Sequence, residues 1–214
     1  MAAVVLEAET LGEGWLLAAR TILDSGDLAS YAGQTTRELA LLTLVVERPA
    51  VDDPIIAELG DPGWLEWMHD NFASQKEVPD LGGAQSYGAR LFDYGRTGRD
   101  QIAWVVERLR ADPESRSATI TTFEPLTDTT YIPCVSMLDF WLPWGALELV
   151  VSAHSLDFGK KAYGNLVELA MLQEHVAAEL EAPPGRMIVH AKSAHVYEPE
   201  WTLMAGLTGL TVTA

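Results

Sequence analysis

Apolar residues in the segment 9–25, ETLGEGWLLAARTILDS, recur at helical spacing. Trp15, Leu16, Ala19, Ile22 and Leu23 fall on one face, and Gly26 is placed to stop the helix. After the turn YAGQTTRE, residues 39–47, LALLTLVVE, are apolar and β-branched toward their end, which predicts a strand closed by RPAVDDP. Residues 63–72, GWLEWMHDNF, predict a short aromatic-rich helix, and 74–86 a loop. Residues 99–111 predict a helix with Ile102, Val105, Val106 and Leu109 on its buried face; the proline of DPESR cannot continue it. Residues 117–123 alternate as a strand. Residues 135–142 and 146–153 are apolar strands split by the turn PWG, and 163–181 form the longest and most apolar helix, broken by APPG. The run RMIVHAKSAHVY is a last strand region.

Helices come first, then strands mixed with one long helix. That order is α+β rather than strict βαβ alternation. It predicts one twisted mixed sheet covered by helices on one face. The other face, left apolar, calls for a partner, and a homodimer is expected. The 214 residues suit a single domain over 1–214. A formal net charge of −17 disfavours nucleic acid and anionic membrane, because Arg108/Arg110 and Lys160/Lys161 make only small basic clusters. One cysteine cannot form an internal disulfide, which suits a reducing compartment. The N-terminus lacks a basic region before its apolar residues, and no apolar run approaches the roughly 18–20 residues that span a bilayer. A soluble, cytoplasmic protein is expected, and no metal is implied.

The lone cysteine, Cys134, lies in TTYIPCVSMLDFW (129–141), after a proline and between two apolar stretches. By itself it reads as a small buried hydrophobe. Its surroundings change that. SYGARL (86–91), DQI (100–102), DPESR (112–116), PC (133–134), HSLDFGKKAYGN (154–165) and SAHVY (193–197) follow one another in order. This order and spacing resemble the thymidylate synthase family, including its (deoxy)cytidylate and deoxyuridylate 5-hydroxymethylase branch. The likeness covers roughly residues 84–200 and extends weakly to the N-terminal helix and GQTTRE.

The resemblance implies one-carbon transfer from 5,10-methylenetetrahydrofolate to carbon 5 of a pyrimidine nucleoside monophosphate. Carbon 5 is a poor nucleophile until a thiolate adds to carbon 6 and makes an enolate-like ring. Cys134 would be that nucleophile. A thiolate needs a cationic neighbour, and the family places the arginine matching Arg116 at the phosphate and near the thiol, reaching across a homodimer interface. Asn165 matches the asparagine that reads the pyrimidine edge with one donor and one acceptor; its residue type leans toward uracil, and a helix cap is its ordinary reading. Ser155 would contact phosphate and Asp157 the base. His195 and Tyr197 would hold the sugar hydroxyl, and Tyr87 would assist proton transfer at carbon 5. A proton-relay glutamate is also expected; Glu66 is preferred to Glu58, because an aromatic-rich helix would bury it.

The sequence also departs from the family. His154 stands where arginine is usual at the phosphate, and Lys160 or Lys161 are the candidates to restore that charge. Val135 stands where many bacterial synthases carry histidine, and KAYGN replaces the usual approach to the asparagine. The segment before SYG, which carries a folate-packing tryptophan in common synthases, is short, and GLTGLTVTA does not resemble the usual closing tail. Hydride from tetrahydrofolate would give a methyl product and water a hydroxymethyl product, and a less closed site favours water. Hydroxymethylation is therefore placed slightly ahead of thymidylate synthesis. A nucleotide-binding member without turnover is the remaining alternative.

Overall fold

A computed structural model describes residues 3–129 and 131–210. In chain order the elements are β1 (Val4–Ala8), α1 (Leu11–Ser25), β2 (Asp27–Tyr31), β3 (Gln34–Val46), α2 (Pro54–Leu59), α3 (Pro62–Ala73), β4 (Glu77–Val78), β5 (Ala84–Gln85), α4 (Tyr87–Phe92), α5 (Gln101–Ala111), β6 (Ala118–Thr121), β7 (Val135–Trp141), β8 (Leu147–Ala153), β9 (Leu156–Asp157), α6 (Ala162–Glu179), β10 (Pro184–Tyr197) and α7 (Trp201–Thr208). The α+β expectation holds. One mixed sheet runs β1-β3-β10-β8-β7-β6, with β2 added to β3 and β9 to β10. β1 lies parallel to β3, and β8 and β9 lie parallel to β10; the other pairs are antiparallel. No helix among the described residues is long and apolar enough to cross a membrane.

Five helices, though not α6, start at caps the sequence supplies. Thr10, Asp53, Asp61, Ser86 and Asp100 each accept a backbone N–H in the first turn of the helix they precede. Several elements were not predicted. β1 and β2 are short with only partial burial, α2 starts at the last residue of RPAVDDP, α4 and β9 are short, and α7 lies beyond the last predicted strand. The predicted loop 74–86 also contains the two-stranded β4–β5 pair. β2 and β3 are joined by Ala32 and Gly33, both at positive φ (49° and 80°), the geometry of a type I′ hairpin turn.

In the sheet, strict alternation would put every second residue inward, yet several strands slip. β3 buries Leu39, then Leu42, Leu44 and Val46; β10 buries Met187, Val189 and Ala191, then Ala194 and Val196. The two strands slip together, Ala191 facing Leu42 and Ala194 facing Leu39, with the exposed Leu41 at φ 59° on the β3 side. β7 makes the matching step between Val135 and Met137. These steps keep the apolar set on the helix-covered face. That face packs under α1, α5 and α6, with Trp15, Ile22, Leu44, Phe140, Val151 and Leu166 in its core.

The open face is apolar along one row only, Val45–Ile188–Val150, with Leu41, Met137 and Trp141 exposed nearby. The next row is Thr43, His190 and Ser152, the first two hydrogen-bonded at 2.9 Å. The expectation of an apolar second face is therefore corrected to a mixed one. Outward positions at this slipped register alternate between β-branched apolar and polar residues.

Candidate active site

The slipped ends of β7, β8 and β10 bring the chemistry-bearing residues together. Cys134 ends the loop before β7, and its carbonyl accepts the His154 N–H at 3.0 Å. A small pocket of about 40 Å³ opens onto its sulfur. Tyr87, Tyr131, Asp157, Lys161 and Asn165 line it, with Trp67, Met68, Asn71 and Leu156.

Each lining residue is held by a distinct local device. Tyr87 opens α4 behind the Ser86 cap. Its ring stacks on Phe72 (4.4 Å, 28°), and its hydroxyl oxygen accepts the Val135 N–H at 2.9 Å. That bond ties the tyrosine to the residue after the thiol. The glycine of the YG pair has a packing reason. A Cβ on Gly88 would meet the Ser74 carbonyl at 2.5 Å and the Phe72 carbonyl at 2.7 Å, so only glycine lets α4 approach the end of α3. Asn71 Oδ1 accepts the Tyr87 N–H at 3.1 Å.

Asp157 sits on β9 opposite His195 on β10. The turn after it is fixed from α1, where Trp15 Nε1 donates to the Phe158 carbonyl at 2.8 Å. Burial, with Glu200 nearby, raises the Asp157 carboxyl to about 6, although its Oδ1 accepts the Gly159 N–H at 3.0 Å. His195 is buried, packs edge-on against Tyr197 (4.9 Å, 82°), and is lowered by burial, so its imidazole is neutral at pH 7. Burial raises the Cys134 thiol, while Lys161 and the Tyr131 hydroxyl pull it the other way. Burial raises the phenols of Tyr87 and Tyr131, which are therefore protonated at neutral pH.

Asn165 is not a helix cap. It lies in the first turn of α6, and its Nδ2 donates to the Lys161 carbonyl at 3.0 Å. A carbonyl can only accept, so this bond fixes the amide orientation. Oδ1 is thereby left buried, without a partner, in a residue only 5% exposed. A buried acceptor without a donor is costly unless a ligand supplies one.

The remaining predicted residues lie elsewhere. Glu66 does not line this pocket. It is exposed on the far side of α3, beside Asp52, Asp53, His69 and Glu168, because that helix turns Trp67, Met68 and Asn71 toward the thiol instead. Glu58 is exposed on α2. Arg116 is exposed before β6 and absent from the pocket lining. His154 and Ser155 follow β8 outside the pocket. The His154 Nδ1 lies 3.4 Å from Ser136 Oγ, and burial and the Lys192 ammonium lower its pKa. Lys161 lines the thiol pocket, which His154 does not, and Lys160 reaches Glu200 at 4.0 Å. Residues 211–214 of the closing tail lie outside the described residues. Trp67, Asn71, Tyr131 and Lys192 were not singled out in the sequence. Only a tryptophan four residues before an asparagine, on one face of α3, hinted at the first two.

Residues 52–207 match the family model described as thymidylate synthase. A protein of Methanosarcina acetivorans named "Putative thymidylate synthase" is 30% identical over 210 residues, covering 95% of this chain and 94% of its own length. A Methanopyrus kandleri protein of the same name is 37% identical over 126 residues, covering 57% of this chain and 59% of its own. The thymidylate synthase of Rhizorhabdus wittichii is 29% identical over 160 residues, covering 71% of this chain and 47% of its own.

Proposed function

Since the chain belongs to the thymidylate synthase family, whose one-carbon donor is methylenetetrahydrofolate, we propose that it transfers a one-carbon unit to carbon 5 of a uracil nucleoside monophosphate. The observation that carries this reading is the fixed, partnerless Asn165 Oδ1 beside the Cys134 thiol. An acceptor matches the N3–H of uracil and repels the bare N3 of cytosine. The Cys134 thiolate adds to carbon 6. Tyr87, locked to Val135, holds a hydroxyl over the ring, and Asp157, poised near 6, exchanges a proton with it. His195 and Tyr197 face the sugar. His154, Ser155 and Lys192 hold the phosphate, joined across a homodimer by Arg116 of the partner subunit.

Trp67 gives the pocket a flat indole wall suited to a fused-ring ligand, so the residues present fit the folate. When bound, methylenetetrahydrofolate supplies the carbon and, for a methyl product, the hydride. The methyl product is favoured over the hydroxymethyl one, because the Trp67 indole on one side of the pocket would keep water from that side of a bound ring. The hydroxymethyl product is the second reading, favoured by Asp157, a buried carboxyl able to activate water.

Incubation with dUMP, dCMP or CMP and methylenetetrahydrofolate, followed by mass spectrometry, tests this. Thymidylate with dihydrofolate is expected from dUMP, and Cys134→Ala abolishes it. A hydroxymethyl product selects the second reading. Turnover of CMP or dCMP in preference to dUMP overturns the uracil assignment. Absence of turnover, and of tritium release from carbon-5-labelled nucleotide, leaves only a nucleotide binder.

A further inference from the structure

The thiol pocket contains a cation whose placement calls for a role. Lys161 precedes α6, and its Nζ lies 5.4 Å from the ring centroid of Trp64 and 5.4 Å from that of Trp67. The two indoles meet edge to face at 5.7 Å and 70°, forming a corner around the ammonium; the Lys160 ammonium lies on the Trp64 ring as well, at 4.9 Å, but not on Trp67. Aromatic faces hold a cation without neutralising it. Among the described residues Lys161 forms no ion pair, whereas Lys160 reaches Glu200. The charge of Lys161 therefore remains available to the pocket it lines with Cys134 and Asn165.

The position relative to Asn165 is equally specific. The Lys161 carbonyl accepts both the backbone N–H of Asn165 (3.1 Å) and its Nδ2 (3.0 Å), so one helical turn fixes the pair together. In uracil, N3–H and oxygen 4 are neighbours on one edge. A ring whose N3–H meets Asn165 Oδ1 turns that edge toward the lysine's turn.

We propose that Lys161 carries the negative charge of the reaction, first on the Cys134 thiolate and then on oxygen 4 of the bound uracil. This rests on the uracil reading above. The thiol loses its proton to water. The S–C6 bond forms as the C5–C6 π pair shifts, through carbon 4, onto oxygen 4. The charge moves from sulfur to that oxygen, and one fixed cation stabilises both positions without reorganising. When carbon 5 attacks the one-carbon donor, the pair returns and the charge leaves oxygen 4. No glutamate of α3 lines the pocket, so the proton relay expected of Glu66 falls to Asp157, while Lys161 supplies fixed charge.

The titratable groups around the thiol are Tyr87 from α4, Tyr131 from its own loop, Asp157 from β9, Lys161, and Tyr197 from β10. Of these, only Lys161 is cationic. Two readouts on the full chain test the proposal. The first is the pH profile of Cys134 alkylation by iodoacetamide without nucleotide. Lys161→Met should move its midpoint up by about one unit and slow alkylation at pH 7 about tenfold, while Lys161→Arg keeps the profile close to the original. The second is tritium release from carbon-5-labelled dUMP with methylenetetrahydrofolate. Lys161→Met should lower its kcat ~100-fold, and Lys161→Arg should restore part of it.

An unchanged alkylation profile in Lys161→Met overturns the thiolate role. A raised KM with unchanged kcat overturns the oxygen 4 role and makes Lys161 a mere binding contact. Trp67→Leu, which opens the corner and keeps the lysine, should shift the profile the same way by less. It replaces Lys161→Met if that variant does not fold, and its own unchanged profile then counts against the proposal. If the native chain releases no tritium from any nucleotide, the functional reading falls and the oxygen 4 role with it, while the alkylation profile still decides the thiolate role.

Discussion

At the scale of single residues, burial makes ordinary groups of the candidate site unusual. Asp157 shows the sign most clearly. Its carboxyl is raised to about 6 by burial, so folding favours the protonated form. The stabilising contribution is complete below the ordinary carboxylate value and is lost as pH rises through about 6. Asp157→Asn should therefore melt no lower than the native chain at pH 7.5, and higher if the carboxylate is unrelieved. The same variant should remove the acid limb near pH 6 from the kcat profile, together with most of the rate, about 100-fold or more. A limb at the same pH in Asp157→Asn would assign it to another group.

Among residues, those that a motif names were legible in the sequence. Cys134, Asp157, Asn165, His195 and Tyr197 fell within quoted stretches, and Cys134, Asp157 and Asn165 line one pocket. Glu66 was not legible. The choice depended on which way α3 is rotated, and its aromatic residues lie on several faces, so periodicity left the phase open. The structure turns Trp67 and Asn71 inward and leaves Glu66 in solvent. Lys161 was visible as a charge, but whether it served the phosphate or the thiol depended on how the 154–165 turn is folded.

At the scale of elements, the thiol depends on how its loop is anchored. Arg90, on α4, is 1% exposed. Its guanidinium makes paired 2.7 Å bonds to Asp128 and further bonds to the carbonyls of Thr122 (2.7 Å) and Gln85 (3.0 Å). It thus ties α4, which carries Tyr87, to the segment that leads to Cys134. Replacing it leaves a buried Asp128 carboxylate unpaired. Arg90→Met should cost about 3–5 kcal/mol in denaturant unfolding and should speed backbone hydrogen exchange in residues 122–134. A loss below 1 kcal/mol would show the pair to be incidental. The helix faces and stop signals that set element boundaries are local and were read for α1, α3, α5 and α6. The short β1, β2, α2, α4, β9 and α7 were missed because their residues acquire a period only against neighbours distant in sequence.

At the scale of the whole molecule, the mixed open face of the sheet and the exposed Arg116 bear on assembly. In the proposed homodimer each site takes its thiol from one protomer and Arg116 from the partner. Cys134→Ala and Arg116→Ala should each be inactive alone. Denatured and refolded together in equal amounts, they should recover activity, because half the dimers are mixed and each mixed dimer has one intact site of two. About a quarter of native tritium release is expected. No recovery, with dimers confirmed by sedimentation, would place Arg116 in its own protomer's site or outside the chemistry.

The sequence alone determined the family and the α+β class, and it singled out Cys134 and Asn165, which the fold brings into one pocket. These reside in local patterns and short motifs whose residue types the chemistry itself demands. Tertiary structure decided the rest. It turned Glu66 outward, put Lys161 in a corner of two tryptophans beside the thiol, fixed the Asn165 amide by a backbone carbonyl, and made the open sheet face mixed. Each of these depends on helix rotation, strand slip or burial, which arise only when distant segments pack and which no stretch of sequence carries by itself.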